Sequence, residues 1–231
     1  MSLWTRIAEA IAALVARGEG LLAIFERTPP ERSVAFTIAV IGLGAKMAKA
    51  DGTVKPVEVA AFRRVFQIAP QDEAAAARVF DLARQDIAGF DAYARRIARL
   101  FAGEPRVLND ILEGLFHIAL ADGRYHADEE RFLAEVAEIF GIAPGDFACI
   151  EARHVSGRPA DPWHVLGVAP GADLATIRAR WRALVKESHP DQMIARGLPP
   201  ETITLATARI AAINRAWNEL AGKKRPEARA G

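Results

Sequence analysis

A chain of 231 residues, 51% of them hydrophobic, can bury one large or two modest domain cores and is too apolar to be disordered. A formal net charge of +1 gives no global case for nucleic-acid or membrane-surface binding. The single cysteine, Cys149, excludes an intramolecular disulfide and any paired-cysteine zinc or redox motif, which suits a reducing cytoplasm.

Alanine, arginine and leucine are abundant and β-strand alternation is scarce, so the chain is predicted to be all-α. An amphipathic helix is predicted over 3–25, with Leu3, Ile7, Ala10, Ile11, Leu14 and Val15 on its apolar side, stopped by Pro29 and Pro30. Charges at Arg6, Glu9, Arg17 and Glu19 argue against a signal peptide. A buried helix follows over 32–49. Its apolar stretch, Ser33 to Ala45, is too short to span a bilayer and contains Gly42 and Gly44. Pro56 opens a further helix to Ile68, and more are expected near 71–86, 90–102, 105–121, 127–140 and 144–152.

A degenerate internal repeat runs through this region. Ala50-Asp51-Gly52 corresponds to Ala121-Asp122-Gly123, with Glu58 matching Glu129 and Ile68 matching Ile139. Each half is an apolar helix, an Ala-Asp-Gly turn and a second amphipathic helix. Glycine supplies the positive φ that ends the first helix, and the acidic residues fall near the start of the next. Asp51, Glu58, Asp122 and Glu129 also form a candidate oxygen-ligand set for calcium or magnesium. Two carboxylates per site are few, and helix capping explains them more simply. His117, on an apolar helix, is expected to be a satisfied core residue, and His126 to cap the 123–127 turn.

The polar stretch from His154 to Ala160, with Gly157 and Pro159, marks a boundary between an N-terminal domain, 1–153, and a C-terminal one, 161–222, followed by a basic tail over 223–231. Residues 158–225 carry 11 Lys/Arg against 6 Asp/Glu, so an acidic partner should meet this part. Asp161 and Pro162 open a short helix. A second runs from Ala175 to Ser188, with Arg178, Arg182 and Lys186 spaced by four on one face and Ile177, Leu184 and Val185 toward an apolar side, Trp181 beside it. His189-Pro190-Asp191 follows. Pro190 disfavours helical geometry at His189, so the chain turns there. A breaker-rich loop through Pro199 and Pro200 leads to a last helix ending near Leu220. Val165, Leu166, Val168, Ile210, Ile213, Trp217 and Leu220 read as the core of this domain.

The order helix, helix, HPD loop, helix resembles a J-domain, the module that triggers ATP hydrolysis in DnaK-type chaperones. The region before it resembles the TerB-like helical domain, best from Leu115 to Pro144. The two in this order resemble DjlA-type co-chaperones, although those begin with a membrane-spanning segment and none is expected here. The resemblance implies that Arg178, Trp181, Arg182 and Lys186 dock on an acidic face of the chaperone. It also implies that His189, Pro190 and Asp191 commit bound ATP to hydrolysis in the partner. The chain itself would then be no enzyme and would need no cofactor. Residues 1–153 would give specificity for an unidentified client or for a location. That location would be cytoplasmic, with peripheral contact at the inner face of the membrane as a further reading.

Three departures stand out: Gln192 after the tripeptide, Ala211 where many members carry lysine, and a last helix reduced to the basic tail. They keep open a J-like scaffold that binds without stimulating, and the acidic turns keep open a metal-responsive stress protein. The short basic patch lacks exposed aromatics, which disfavours nucleic acid. No nucleophile–base pair or phosphate-cradling glycine loop occurs.

Overall fold

The computed structural model describes residues 3–17, 32–50, 60, 63, 65, 66, 68–85, 89–155 and 161–224. The first candidate acidic turn, with Asp51 and Glu58, lies outside them, as do most of the 56–68 segment and residues 156–160 of the boundary stretch.

The described residues are all-α. Helix α1 (Leu3–Val15) accounts for the first part of the segment expected at 3–25, of which residues 18–25 lie outside the described residues. Its apolar face is consumed by packing: Leu3, Trp4, Ile7 and Leu14 are buried, and Trp4 meets Phe66 edge-on with ring centroids 6.1 Å apart. Helix α2 (Arg32–Ala50) is the centre of the N-terminal body, and every residue from Val34 to Lys46 except the two glycines contributes a buried side chain. A helix that is apolar all round must be covered all round. It is surrounded by α1, α3 (Glu73–Gln85), α4 (Phe90–Leu100) and α5 (Pro105–Ala119). Gly42 permits the closest of these approaches, since a Cβ there would stand 2.8 Å from the Tyr93 ring. No described helix is long and apolar enough to cross a membrane.

A 3-10 turn, Leu120–Asp122, ends α5 at Gly123, whose φ of 81° is the left-handed conformation that the Ala-Asp-Gly pattern requires. Helices α6 (Ala127–Ile139) and α7 (Pro144–His154) complete the body. His154, expected in the boundary stretch, is the last residue of α7.

The C-terminal unit begins with α8 (Pro162–Leu166), where the Asp161 carboxylate accepts from the Trp163 amide at 3.1 Å. Helix α9 (Leu174–Glu187) is capped in the same way, Asp173 accepting from the Thr176 amide at 2.7 Å. The breaker-rich loop expected after His189 starts as a helix, α10 (Pro190–Ala195). The physical reason is that proline suits the first helical position, where no backbone donor is needed and φ is already right. The turn forced by Pro190 is therefore a helix start. Helix α11 (Ile203–Lys224) packs along α8 and α9 and runs two residues into the segment expected as tail. Val165, Leu166, Ile177, Leu184, Ile213, Ala216 and Leu220 form the core of this unit, with Trp163, Val168, Trp181 and Trp217 around it.

Met193, Leu198, Leu205 and Ala206 do not join that core. They belong to the large buried cluster of the N-terminal body, so α10 and the first turns of α11 are seated on it.

Candidate functional site: a cationic helix, an exposed turn and the base beneath them

Helix α9 sorts its side chains by face. Ile177 and Leu184 are buried, whereas Arg178, Arg182 and Lys186 are exposed. Trp181 is half-buried: its ring stacks on Trp217 with centroids 4.9 Å apart, and its indole N–H donates to Asn214 Oδ1 at 2.8 Å. The Arg178 guanidinium lies 5.9 Å from the Trp217 ring centroid. Arg180 leaves the ridge, donating from Nε to the Leu166 carbonyl at 3.1 Å.

At the end of α9 the chain turns at His189. The His189 ring is the N-cap of α10, Nδ1 accepting from the Asp191 amide at 3.2 Å. The side chains of His189 and Asp191 remain 55% and 83% exposed, and Gln192 beside them is exposed. The ridge residues Arg178, Arg182 and Lys186 and the turn residues His189 and Asp191 are all exposed, the turn directly following the helix that carries the ridge.

Beneath this surface lies an ionic network that the sequence reading missed. Asp110 and Glu113, on α5, whose other buried residues are apolar or glycine, are each 1% exposed. Asp110 accepts from Arg196 Nη2 at 2.8 Å and Nε at 3.1 Å, and from Arg209 Nη2 at 2.7 Å. Glu113 accepts from Arg209 Nε and, at 3.0 Å, from Arg153 Nη1. Arg153 also donates to the Val165 carbonyl at 3.3 Å, and Arg196 to the Glu187 carbonyl at 3.1 Å. Burial alone would raise the Glu113 carboxyl, but Arg209, His154 and Arg153 outweigh it and hold the group well below the usual carboxylate range. The Arg209 guanidinium is disfavoured by burial yet held charged by Glu113 and Asp110. The signal in the sequence was present: two acids three apart facing the interior of an apolar helix need cationic partners.

Two other expectations are resolved locally. His117 is not a satisfied core residue. Its Nε2 is buried without a hydrogen-bond partner among the described residues, and burial, assisted by His154, lowers its pKa to about 4. The ring is neutral and stands edge-on to His154, centroids 4.7 Å apart. At the second acidic turn, Asp122 accepts from the Arg124 amide at 2.9 Å and stands 3.3 Å from His126 Nε2. Glu129 accepts from the His126 amide at 2.9 Å, forming a capping box. Both carboxylates are engaged in ending one helix and starting the next. Among the described residues no group of three or more acidic, histidine or cysteine side chains is placed to hold a metal ion.

The family model for tellurite resistance protein TerB matches residues 37–152. The chain is 28% identical over 154 residues to the co-chaperone protein DjlA of Photorhabdus laumondii, a match covering 56% of each chain. It is 28% identical over 153 residues to that of Escherichia coli K12, again 56% of each. Against the co-chaperone protein DjlA of Coxiella burnetii it is 27% identical over 204 residues, 80% of this chain and 74% of the relative. A match of that extent cannot fit before residue 153 and therefore runs into the C-terminal unit. The chain spans a little over half the length of the first two relatives, and no solved structure matches it.

Proposed function

The chain belongs to the TerB family through residues 37–152, and from that premise we propose that it is a co-chaperone whose C-terminal unit is a J-domain. It docks on a DnaK-type chaperone through α9 and stimulates ATP hydrolysis there through His189, Pro190 and Asp191. The observation that carries this reading is the exposure of Arg178, Arg182 and Lys186 along α9 and of His189 and Asp191 in the turn that directly follows it. A row of exposed cations steers a chain onto an acidic surface and fixes register. A capped turn at its end presents one imidazole and one carboxylate at a defined place. The names of the similar proteins point the same way.

The reaction centre in this reading lies in the partner, and the chain supplies a trigger without a catalytic group or cofactor of its own. The N-terminal body contributes specificity for a client or a location. Trp181, spent on Trp217 and Asn214, supports the docking helix from below.

Single-turnover ATP hydrolysis by a DnaK-type chaperone, with the native chain and with His189→Gln, tests the proposal. Stimulation that disappears in the variant is the expected result. No stimulation by the folded native chain would reject it in favour of a J-like scaffold that binds without triggering.

A further inference from the structure

Residues 187–198, which contain the exposed turn, are fastened to the N-terminal body at several points. Arg196 is the central one. Its Nη1 holds the Glu187 carbonyl, at the end of α9, while its Nη2 and Nε hold the buried Asp110 carboxylate of α5. One guanidinium therefore closes the span from 187 to 196 on itself and ties it to the other domain. Met193 and Leu198, each 2% exposed, sink into the N-terminal cluster on either side of it. Gly197, at φ 94°, lies so close to α2 that a Cβ would stand 2.4 Å from Arg32 Cβ. His189 and Asp191, at the tip of the span, are left outward, as are Gln192, Ile194 and Ala195 on the outer side of α10.

We propose that Asp110 is a positioning residue for the His189–Asp191 turn, acting through Arg196, so that the N-terminal body is a splint for the trigger as well as a carrier of specificity. The inference rests on the co-chaperone reading for its functional consequence, while its structural half stands apart from it. Buried ion pairs are poor sources of net stability, because desolvation offsets most of the attraction, and their best-attested use is to fix register. Here the register fixed is that of a loop in which the side chains of His189 and Asp191 make, among the described residues, no anchoring contact outside the turn itself. An exposed hexapeptide helix held only by its own backbone would fray. Anchored to a buried carboxylate, it keeps one orientation relative to the α9 ridge, and the partner meets a preformed turn.

The test uses the full chain with Asp110→Asn and, as a variant that retains charge at a less buried position, Arg196→Lys. The lysine ammonium cannot bond the Asp110 carboxylate and the Glu187 carbonyl with the planar fork of arginine. Native-state amide exchange over 188–196 is expected to quicken by about tenfold in either variant, with the C-terminal core unchanged. In single-turnover hydrolysis by a DnaK-type chaperone the maximal rate should fall about tenfold while the half-saturating concentration, set by the ridge, stays within about twofold. Unchanged exchange over 188–196 in folded Arg196→Lys would overturn the splint. So would an unchanged maximal rate alongside a His189→Gln variant that has lost stimulation. Should the native chain fail to stimulate at all, the co-chaperone reading falls, and the exchange data alone still decide the positioning claim.

Discussion

Trp181 lies nearly flat on Trp217, the ring planes 16° apart and the centroids separated by 4.9 Å, with the Trp181 indole N–H bonded to Asn214. Both tryptophans are half-buried, and together they clamp α9 to α11 at the level where Arg178 begins the exposed ridge. The residue that the family resemblance offers as a docking contact is thus engaged within its own unit.

Trp181→Phe should keep the ring contact and lose one hydrogen bond, lowering stability by about 1 kcal/mol. Trp181→Ala should cost about 3 kcal/mol. Urea unfolding measures both. Half-saturation of the chaperone should be unchanged by Trp181→Phe, and a weakened half-saturation without loss of stability would show that the ring reaches the partner.

Removing one member of the buried network should be far more harmful than removing a surface pair. Glu113→Gln leaves Arg209 and Arg153 short of a countercharge in a dry place, and a loss of about 3 kcal/mol is expected. Arg106→Gln breaks only the exposed pair with Glu187, and should change stability by less than about 1 kcal/mol. Equal effects from the two variants in denaturant titrations would contradict the burial argument.

His117 sets an acid limit. Its folded pKa of about 4 lies below the ordinary value of 6.5, so below neutrality the unfolded chain takes up a proton that the folded chain refuses. Stability contributed by the neutral ring is full above pH 6.5 and is lost as the pH falls toward 4. Between pH 7 and 5 the loss amounts to about 2 kcal/mol. Glu113, held low by its arginines, acts in a separate and more acid window, contributing fully above the ordinary carboxyl value and losing that contribution only below it. His117→Gln should flatten the dependence between pH 7 and 5, which unfolding midpoints in the two buffers would reveal.

The acidic turn at Asp122 separates a cap from a cation ligand. Glu129→Ala should cost about 1 kcal/mol through the lost bond to the His126 amide. The melting temperature of the native chain should not respond to millimolar calcium, magnesium or zinc. A divalent-dependent rise that vanishes in Glu129→Ala would revive the metal-responsive reading.

At Gly197 the two domains meet too closely for a side chain. Gly197→Ala places a methyl against Arg32 Cβ at a φ unsuited to alanine, and a loss of 2 kcal/mol or so is expected. Stability within about 0.5 kcal/mol of the native chain would mean that α2 and the 196–198 turn yield more easily than their packing suggests.

Local rules were sufficient for much of this chain. The all-α class, the capping residue Asp161, the glycine at 123 and the sorting of Ile177 and Leu184 from Arg178, Arg182 and Lys186 all follow from helical period and turn chemistry. What could not be read was set by contacts distant in sequence. Asp110 and Arg196 are 86 positions apart, and nothing local distinguishes Arg196 or Arg209 from the solvent-facing arginines around them. The segment after Pro190 went unrecognised as a helix for a different reason. Six residues are too few for a hydrophobic period to show, and proline was read as a breaker where it serves as an initiator.

The seat of Met193, Leu198, Leu205 and Ala206 on the N-terminal body has a bearing on portability. Cut from its neighbour, the C-terminal unit would carry an apolar patch and the Arg209 guanidinium into water, both shaped for a surface left behind. Transplanted onto an unrelated carrier, it would bring its ridge and its tripeptide without the carboxylates at 110 and 113. A graft meant to keep the anchored turn should therefore carry both domains together.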